Sequence, residues 1–146
     1  MEIKSSAFKN QENIPTQFTC QGQDISPALN FKNIPDKANS LALIVDDPDA
    51  PGQTFVHWIL WNIPADKTKL EQGFNPQQAL QGKNDFGKLE YGGPCPPSGK
   101  HCYRFKLYAL DSKLVLKQGA SKKDLENATQ GKVLKKAQLI GFYQKK

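Results

Sequence analysis

The sequence predicts an all-β sandwich, and three observations carry that expectation. Proline, glycine and asparagine punctuate the chain at short intervals, at "NIP", "DISP", "NIPDKANS", "DDPDAPGQ", "NIPADK" and "GGPCPPSGK", as they do between short strands. Two segments, 41 to 46 and 55 to 63, are apolar on both faces, the pattern of central strands covered on both sides. The run "HCYRFKLYAL" alternates instead: Tyr103, Phe105, Leu107 and Ala109 share one face, and Arg104 and Lys106 share the other. That strand turns one face to the core and one to water.

A chain of 146 residues suits one domain, 1–146, with enough core to bury roughly two thirds of its unfolded surface. Hydrophobic residues make 38% and charged residues 23%, which argues against disorder. No apolar stretch approaches the ~18 residues of a membrane span. The N-terminal "MEIKSSAFKN" lacks the apolar segment of a signal peptide, so a soluble cytoplasmic protein is expected. No repeat, low-complexity block or linker interrupts the chain.

In chain order, strand 41 to 46 runs into Asp46, Asp47 and Asp49, set among Pro48 and Pro51, and strand 55 to 63 carries His57. The stretch from Glu71 to Lys100 has weak periodicity and many Gly, Pro, Asn and Gln residues, as in an ordered surface loop beside a functional site. In the alternating strand His101 has the parity of Tyr103, so its imidazole is expected on the core side. "SKKDLENATQGKVLKKAQ" reads as helical, with Ser121 as N-cap, Asp124 three residues on, and Leu125, Ala128 and Leu134 as an apolar stripe that Gly131 breaks or bends. "LIGFY", residues 139 to 143, reads as a final strand.

The cysteines, Cys20, Cys95 and Cys102, are odd in number and form no CxxC pair, which argues against a disulfide scaffold and a zinc site. Free thiols are expected, and spacing leaves a single bridge open. The net charge of +6 is a C-terminal property: residues 106 to 146 carry ten lysines against three acids, residues 1 to 105 ten basic against eleven acidic residues. Lys122, Lys123, Lys132, Lys135, Lys136, Lys145 and Lys146 could attract nucleic acid or anionic headgroups, but a solvated helix face explains them as well. No interleaving of basic and aromatic residues accompanies them, so a nucleic-acid partner is not expected.

The only two histidines, His57 and His101, each follow an unusual loop. Pro48 and Pro51 fix φ in the acidic loop and hold its carboxylates in place. Aspartates beside prolines often cap a turn, yet three acids within four residues exceed that need. Their mutual repulsion raises some pKa values unless a partner such as a protonated imidazole stands by. In "GGPCPPSG", Gly92 and Gly93 permit close approach of backbone to a ligand, and the prolines, whose bonds are open to cis geometry, stiffen the wall. Such a rim beside imidazoles suits a small oxyanion such as phosphate, received by backbone N–H groups, histidine and Tyr103. The GxxxxGK[ST] signature of a nucleotide loop is absent.

In these motifs the chain resembles the phosphatidylethanolamine-binding proteins, also called the Raf kinase inhibitor protein family. The pieces are "TCQGQDISPALNF", "SLALIVDDPDAP", "FVHWILWNIP", "QGKNDFGKLEYGGPCPPSGKHCYRFKLYALD" and "LIGFY", and they are most similar to the compact bacterial and archaeal branch. The resemblance implies a β-sandwich with a large antiparallel sheet, a few peripheral helices and an anion pocket near one end. Carried onto this chain, the ligand-binding residues are Asp47, Asp49, His57, Gly93, Cys95, Pro97, His101 and Tyr103. Asp46 has no firm place in that pattern and is expected to shape the loop. The family's His-Arg-Tyr stands here as His101-Cys102-Tyr103 with Arg104 next, which puts any role of that arginine in doubt. Bacterial relatives self-associate, so a homodimer is an expectation of the resemblance.

The reading is a binding protein for a phosphate-bearing small molecule or phospholipid headgroup, with regulation of a kinase or other protein partner through the same pocket, and without cofactor. In it Asp47 and Asp49 orient the imidazoles and favour their charged form. Three rivals stand beside it: a hydrolase using an Asp and His pair or Cys95 as nucleophile, a metal site of Asp47, Asp49, His57 and His101, and an interaction module with a vestigial pocket.

Overall fold

The computed structural model describes residues 1–146 and contains two sheets. The strands are β1 (Glu2–Lys4), β2 (Glu12–Asn13), β3 (Leu29–Lys32), β4 (Ser40–Asp47), β5 (Phe55–Pro64), β6 (Lys69–Leu70), β7 (Leu80–Gln81), β8 (His101–Leu110) and β9 (Val133–Tyr143). One α-helix, α1 (Lys122–Thr129), and a 3-10 turn at Thr16–Phe18 complete the elements. The large sheet has the order β2-β9-β8-β4-β5-β7 and is antiparallel except for the short β2–β9 pair; the small sheet is β1-β3-β6. No helix is long and apolar enough to cross a membrane.

The two-sided apolar runs take the middle of the large sheet because each face meets its own core. Leu41, Leu43 and Val45 of β4 join Trp58, Phe105, Leu107 and the β3 residues Leu29 and Phe31 between the sheets. Ala42 and Ile44 join Trp61, Leu110, Leu114 and Leu125 under α1 on the other face. Burying each large side chain in these layers stabilises the fold by about 1.5–3 kcal/mol. Ser121 caps α1 as the sequence suggests: its side chain accepts from the Asp124 N–H, and Asp124 returns a bond to the Ser121 N–H.

The helix is shorter than its pattern. It stops at Thr129, Gly131 takes φ +76°, and the residues beyond it enter β9, which starts at Val133 and absorbs the expected 139–143 strand. Antiparallel pairing with β8 from Leu110 to His101 wins over the helical spacing of Leu134. The stretch 71–100 stays a loop apart from the two residues of β7. Every peptide bond is trans, including those before the prolines of 94–97.

The expectation of three free thiols is overturned. Cys20 and Cys95, 75 residues apart, form a disulfide, and Cys102 alone is free. The Cys20 N–H donates to the Pro94 carbonyl at 3.1 Å, which brings the two Cα atoms to 5.4 Å, within bridging range. Such tertiary contact is invisible in cysteine spacing.

Candidate functional site

The chemistry gathers where β4 ends and β5 and β8 begin. Strand alternation puts His101, Tyr103 and Phe105 on the face between the sheets. Across the β4–β8 ladder Val45 faces Phe105 and Asp46 faces Arg104, so Asp47 arrives beside the start of β8. Its Oδ2 accepts from His101 Nδ1 at 2.7 Å, and its Oδ1 accepts from the Asp49 N–H at 2.8 Å. Asp47 therefore closes its own turn and orients one imidazole at once.

His57 reaches the same face through a bulge. Val45 pairs with Trp58 and the next residue, Asp46, pairs with Val56, so His57 is an extra residue on β5. Unbulged alternation would turn it with Ile59 and Trp61 toward α1; the bulge turns it to Tyr103, whose ring lies 5.3 Å away and edge-on. Left out of the ladder, the His57 carbonyl takes the Gly92 N–H at 3.0 Å, and the His57 Nδ1–H donates back to the Gly92 carbonyl at 2.7 Å. Val56 is fixed likewise, its N–H to Asp85 Oδ2 and its carbonyl to the Asp85 N–H.

Tyr103 joins the two rings, stacked on His101 at 6.5 Å between centroids. Its hydroxyl is sealed from solvent and has no hydrogen-bond partner. The Cys95 backbone approaches it without closing a bond, and burial, reinforced by Asp47, pushes the phenol far above its ordinary pKa, so it remains a donor. Both imidazoles commit Nδ1–H to an acceptor, which leaves Nε2 as the unengaged nitrogen. Neither Nε2 is among the sealed, partnerless atoms, so each retains contact with solvent.

The site is tight. His57 is 3% exposed, His101 7% and Tyr103 1%, and the more pronounced clefts of the molecule are lined by other residues. Phe55 and Phe86 pack on the His57 ring at 4.9 and 5.5 Å. Burial pushes the His57 imidazole below its ordinary pKa; the Gly92 carbonyl and the field of Asp47 oppose this without overcoming it. The expectation that the acids orient both imidazoles and keep them charged is thus corrected for His57: the Asp47 field favours its charged form but burial outweighs it, and of the two rings Asp47 bonds only His101, while a backbone carbonyl holds His57.

The remaining expected residues serve the frame. Asp49 is exposed and its Oδ2 takes the Cys102 N–H at 2.8 Å, tying the acidic loop to β8. Gly93 gives its N–H to Asp24 Oδ1 at 2.8 Å, and a Cβ there would collide with the Phe18 carbonyl and the Asp24 carboxylate. Pro97 is exposed on the outer part of the loop. Cys95 is bridged, so it has no thiolate to act as nucleophile. No group of three or more His, Cys, Asp or Glu side chains stands ready for a metal ion.

Asp46 does more than shape the loop. It lies on the opposite face of the sheet, fully buried, and accepts from Arg104 Nε at 2.7 Å. Sequence reasoning also passed over Asn84, Asp24 and Phe86. Buried Asn84 accepts the Phe86 and Lys88 N–H groups and donates to the Glu90 carbonyl, which folds the loop that carries Phe86 and Gly92. Asn84 and Asp24 sit inside "QGKND" and "GQDISP", but neither stretch has a periodicity that marks a role.

Comparison with known proteins places this geometry among relatives. A family model described as phosphatidylethanolamine-binding protein matches residues 4–144. A protein of Methanothermobacter thermautotrophicus named only as a UPF0098 protein is 50% identical, over 99% of each chain. A UPF0098 protein of Pyrococcus horikoshii is 49% identical over all of this chain and 78% of its own length. Among solved structures, one described as a putative phosphatidylethanolamine-binding protein homolog of Chlamydia trachomatis superposes with a TM-score of 0.96 at 39% identity, covering 99% of this chain and 97% of its own. E. coli YBCL, described as a new member of the mammalian family, superposes at 0.92 with 32% identity, covering 99% and 98%.

Proposed function

We propose that this chain, which belongs to the phosphatidylethanolamine-binding protein family, holds the phosphate of a small molecule or phospholipid headgroup at the His57, Tyr103 and His101 cluster, and regulates a kinase or other protein through that site. One observation carries the binding arm: a buried Tyr103 hydroxyl without a partner, between two imidazoles whose Nδ1 atoms are already engaged. An orphaned buried hydroxyl costs about 1–3 kcal/mol, and an oxyanion that reaches it removes that penalty. The partner arm rests on the family resemblance.

The tautomer shapes the chemistry. With Nδ1–H on Gly92, a neutral His57 presents a lone pair at Nε2, so it accepts a proton from a hydrogen phosphate or takes up a proton to hold a bare dianion. Tyr103 donates in either state. The Cys20–Cys95 bridge favours an oxidising compartment over a cytoplasmic setting, and thiol trapping in fractionated cells decides between them.

Calorimetric titration with phosphate and phosphoethanolamine tests the site. His57→Ala is expected to remove most binding, and Tyr103→Phe to weaken it roughly tenfold or more, the worth of a hydrogen bond to a charged group. Unchanged affinity in both variants rejects the proposal.

A further inference from the structure

The basic excess of residues 106 to 146 takes no part in the histidine cluster. Lys106 and Lys122 instead join Arg104 around Asp46 on the opposite, outward face of the large sheet, and Lys136 lines a cavity there with Lys106. Arg104 and Lys106 stand two apart on β8 and share that face; Tyr108, next along, pairs with Lys136 of β9. Lys122 comes from the first turn of α1. Their organiser is Asp46, 0% exposed, with Arg104 Nε and Lys106 Nζ each at 2.7 Å and Lys122 Nζ at 3.2 Å.

Three cations against one carboxylate leave two positive charges over. They also keep contact with water, at 31%, 17% and 20% side-chain exposure. Beside them opens a cavity of about 460 Å³ lined by Lys106, Tyr108, Lys136, Ala137 and Gln138. Glu126 adds one further negative charge near Tyr108.

We propose that this cavity is a second anion site, separate from the histidine cluster, which takes an organic phosphate dianion between Lys106 and Lys136 with Tyr108 along its wall. The two cations that line the cavity, Lys106 and Lys136, match the two charges of a phosphomonoester. The volume falls within the ~300–1,000 Å³ typical of small-molecule sites and far exceeds a bare phosphate, so an organic group has room. Asp46 holds the Lys106 ammonium in place before any ligand arrives, which lowers the ordering entropy that binding would otherwise cost. Partial burial keeps the local dielectric below that of water and strengthens the attraction.

Amide chemical-shift titration of the His57→Ala protein at neutral pH and low salt tests this apart from the histidine site. Inorganic phosphate is the probe in one arm and ribose 5-phosphate in the other. Saturable shifts are expected at Tyr108, Lys136 and Gln138, tighter for ribose 5-phosphate, and weaker as salt rises. Lys136→Gln, which removes none of the Asp46 contacts, is expected to weaken ribose 5-phosphate by about tenfold. Shifts absent from this cavity, an unchanged affinity in Lys136→Gln, or equal affinity for both probes overturns the proposal.

Discussion

Anion binding at the histidine cluster should consume protons, and sulfate shows this cleanly because its charge is constant near neutral pH. The His57 ring already spends Nδ1–H on Gly92, so a bare dianion needs a second proton, at Nε2. Burial holds the His57 pKa below its ordinary 6.5, so at neutral pH that proton comes from solvent. Each proton taken up costs about tenfold in affinity per pH unit above the folded pKa. Between about pH 7 and about pH 8, above the ordinary value, sulfate should therefore weaken roughly tenfold for one proton. Calorimetry in buffers of different ionisation enthalpy counts the protons directly: at least one-half per sulfate is expected near neutrality. A flat affinity with no buffer dependence refutes the reasoning, since the rings then donate nothing to the anion.

Three further outcomes are expected of the charged cluster, the disulfide and the glycine loop. Asp46→Asn should lower stability by about 2 kcal/mol in urea unfolding, less than the roughly 3–5 kcal/mol of a fully buried broken pair because the cations left behind are partly in water. Burial opposes ionisation of Asp46, but Arg104 and Lys106 outweigh it and hold the carboxyl below its ordinary 3.8. That stabilisation is complete above the unfolded value and disappears as pH falls through the folded one, so the substitution should flatten the acid limb of a stability profile. Reduction of Cys20–Cys95, or Cys95→Ser, should cost about 4 kcal/mol in the chain-entropy picture for a bridge 75 residues apart; unfolding with and without reductant measures it, and one reactive thiol, Cys102, should titrate in the unreduced unfolded protein. Gly93→Ala should cost about 2 kcal/mol and disturb the His57 ring resonances, because the new methyl meets the Phe18 carbonyl, a backbone group that yields poorly.

Much of the architecture was legible in the chain itself. Strands β4, β5 and β8 were readable because their hydrophobic patterns state which faces are covered, and alternation alone put His101 and Tyr103 on one face. Capping chemistry located the start of α1, since Ser121 and Asp124 interact within one turn. Other features depend on residues far apart in the chain. Local periodicity extended the helix past Gly131, where pairing with β8 imposes a strand. Cys20 finds Cys95 only once Thr16–Phe18 and the 92–97 loop are adjacent. His57 faces Tyr103 because between Trp58 and Val56 β5 carries one residue more than β4 can pair, a mismatch of register that neither strand records alone. Asp46 and Asp47, neighbours in sequence, end on opposite faces, one gathering cations and the other steering an imidazole. Short-range pattern determines what a segment can become; register and long-range packing decide which polar atoms meet, because those energies exist only after the chain has closed on itself.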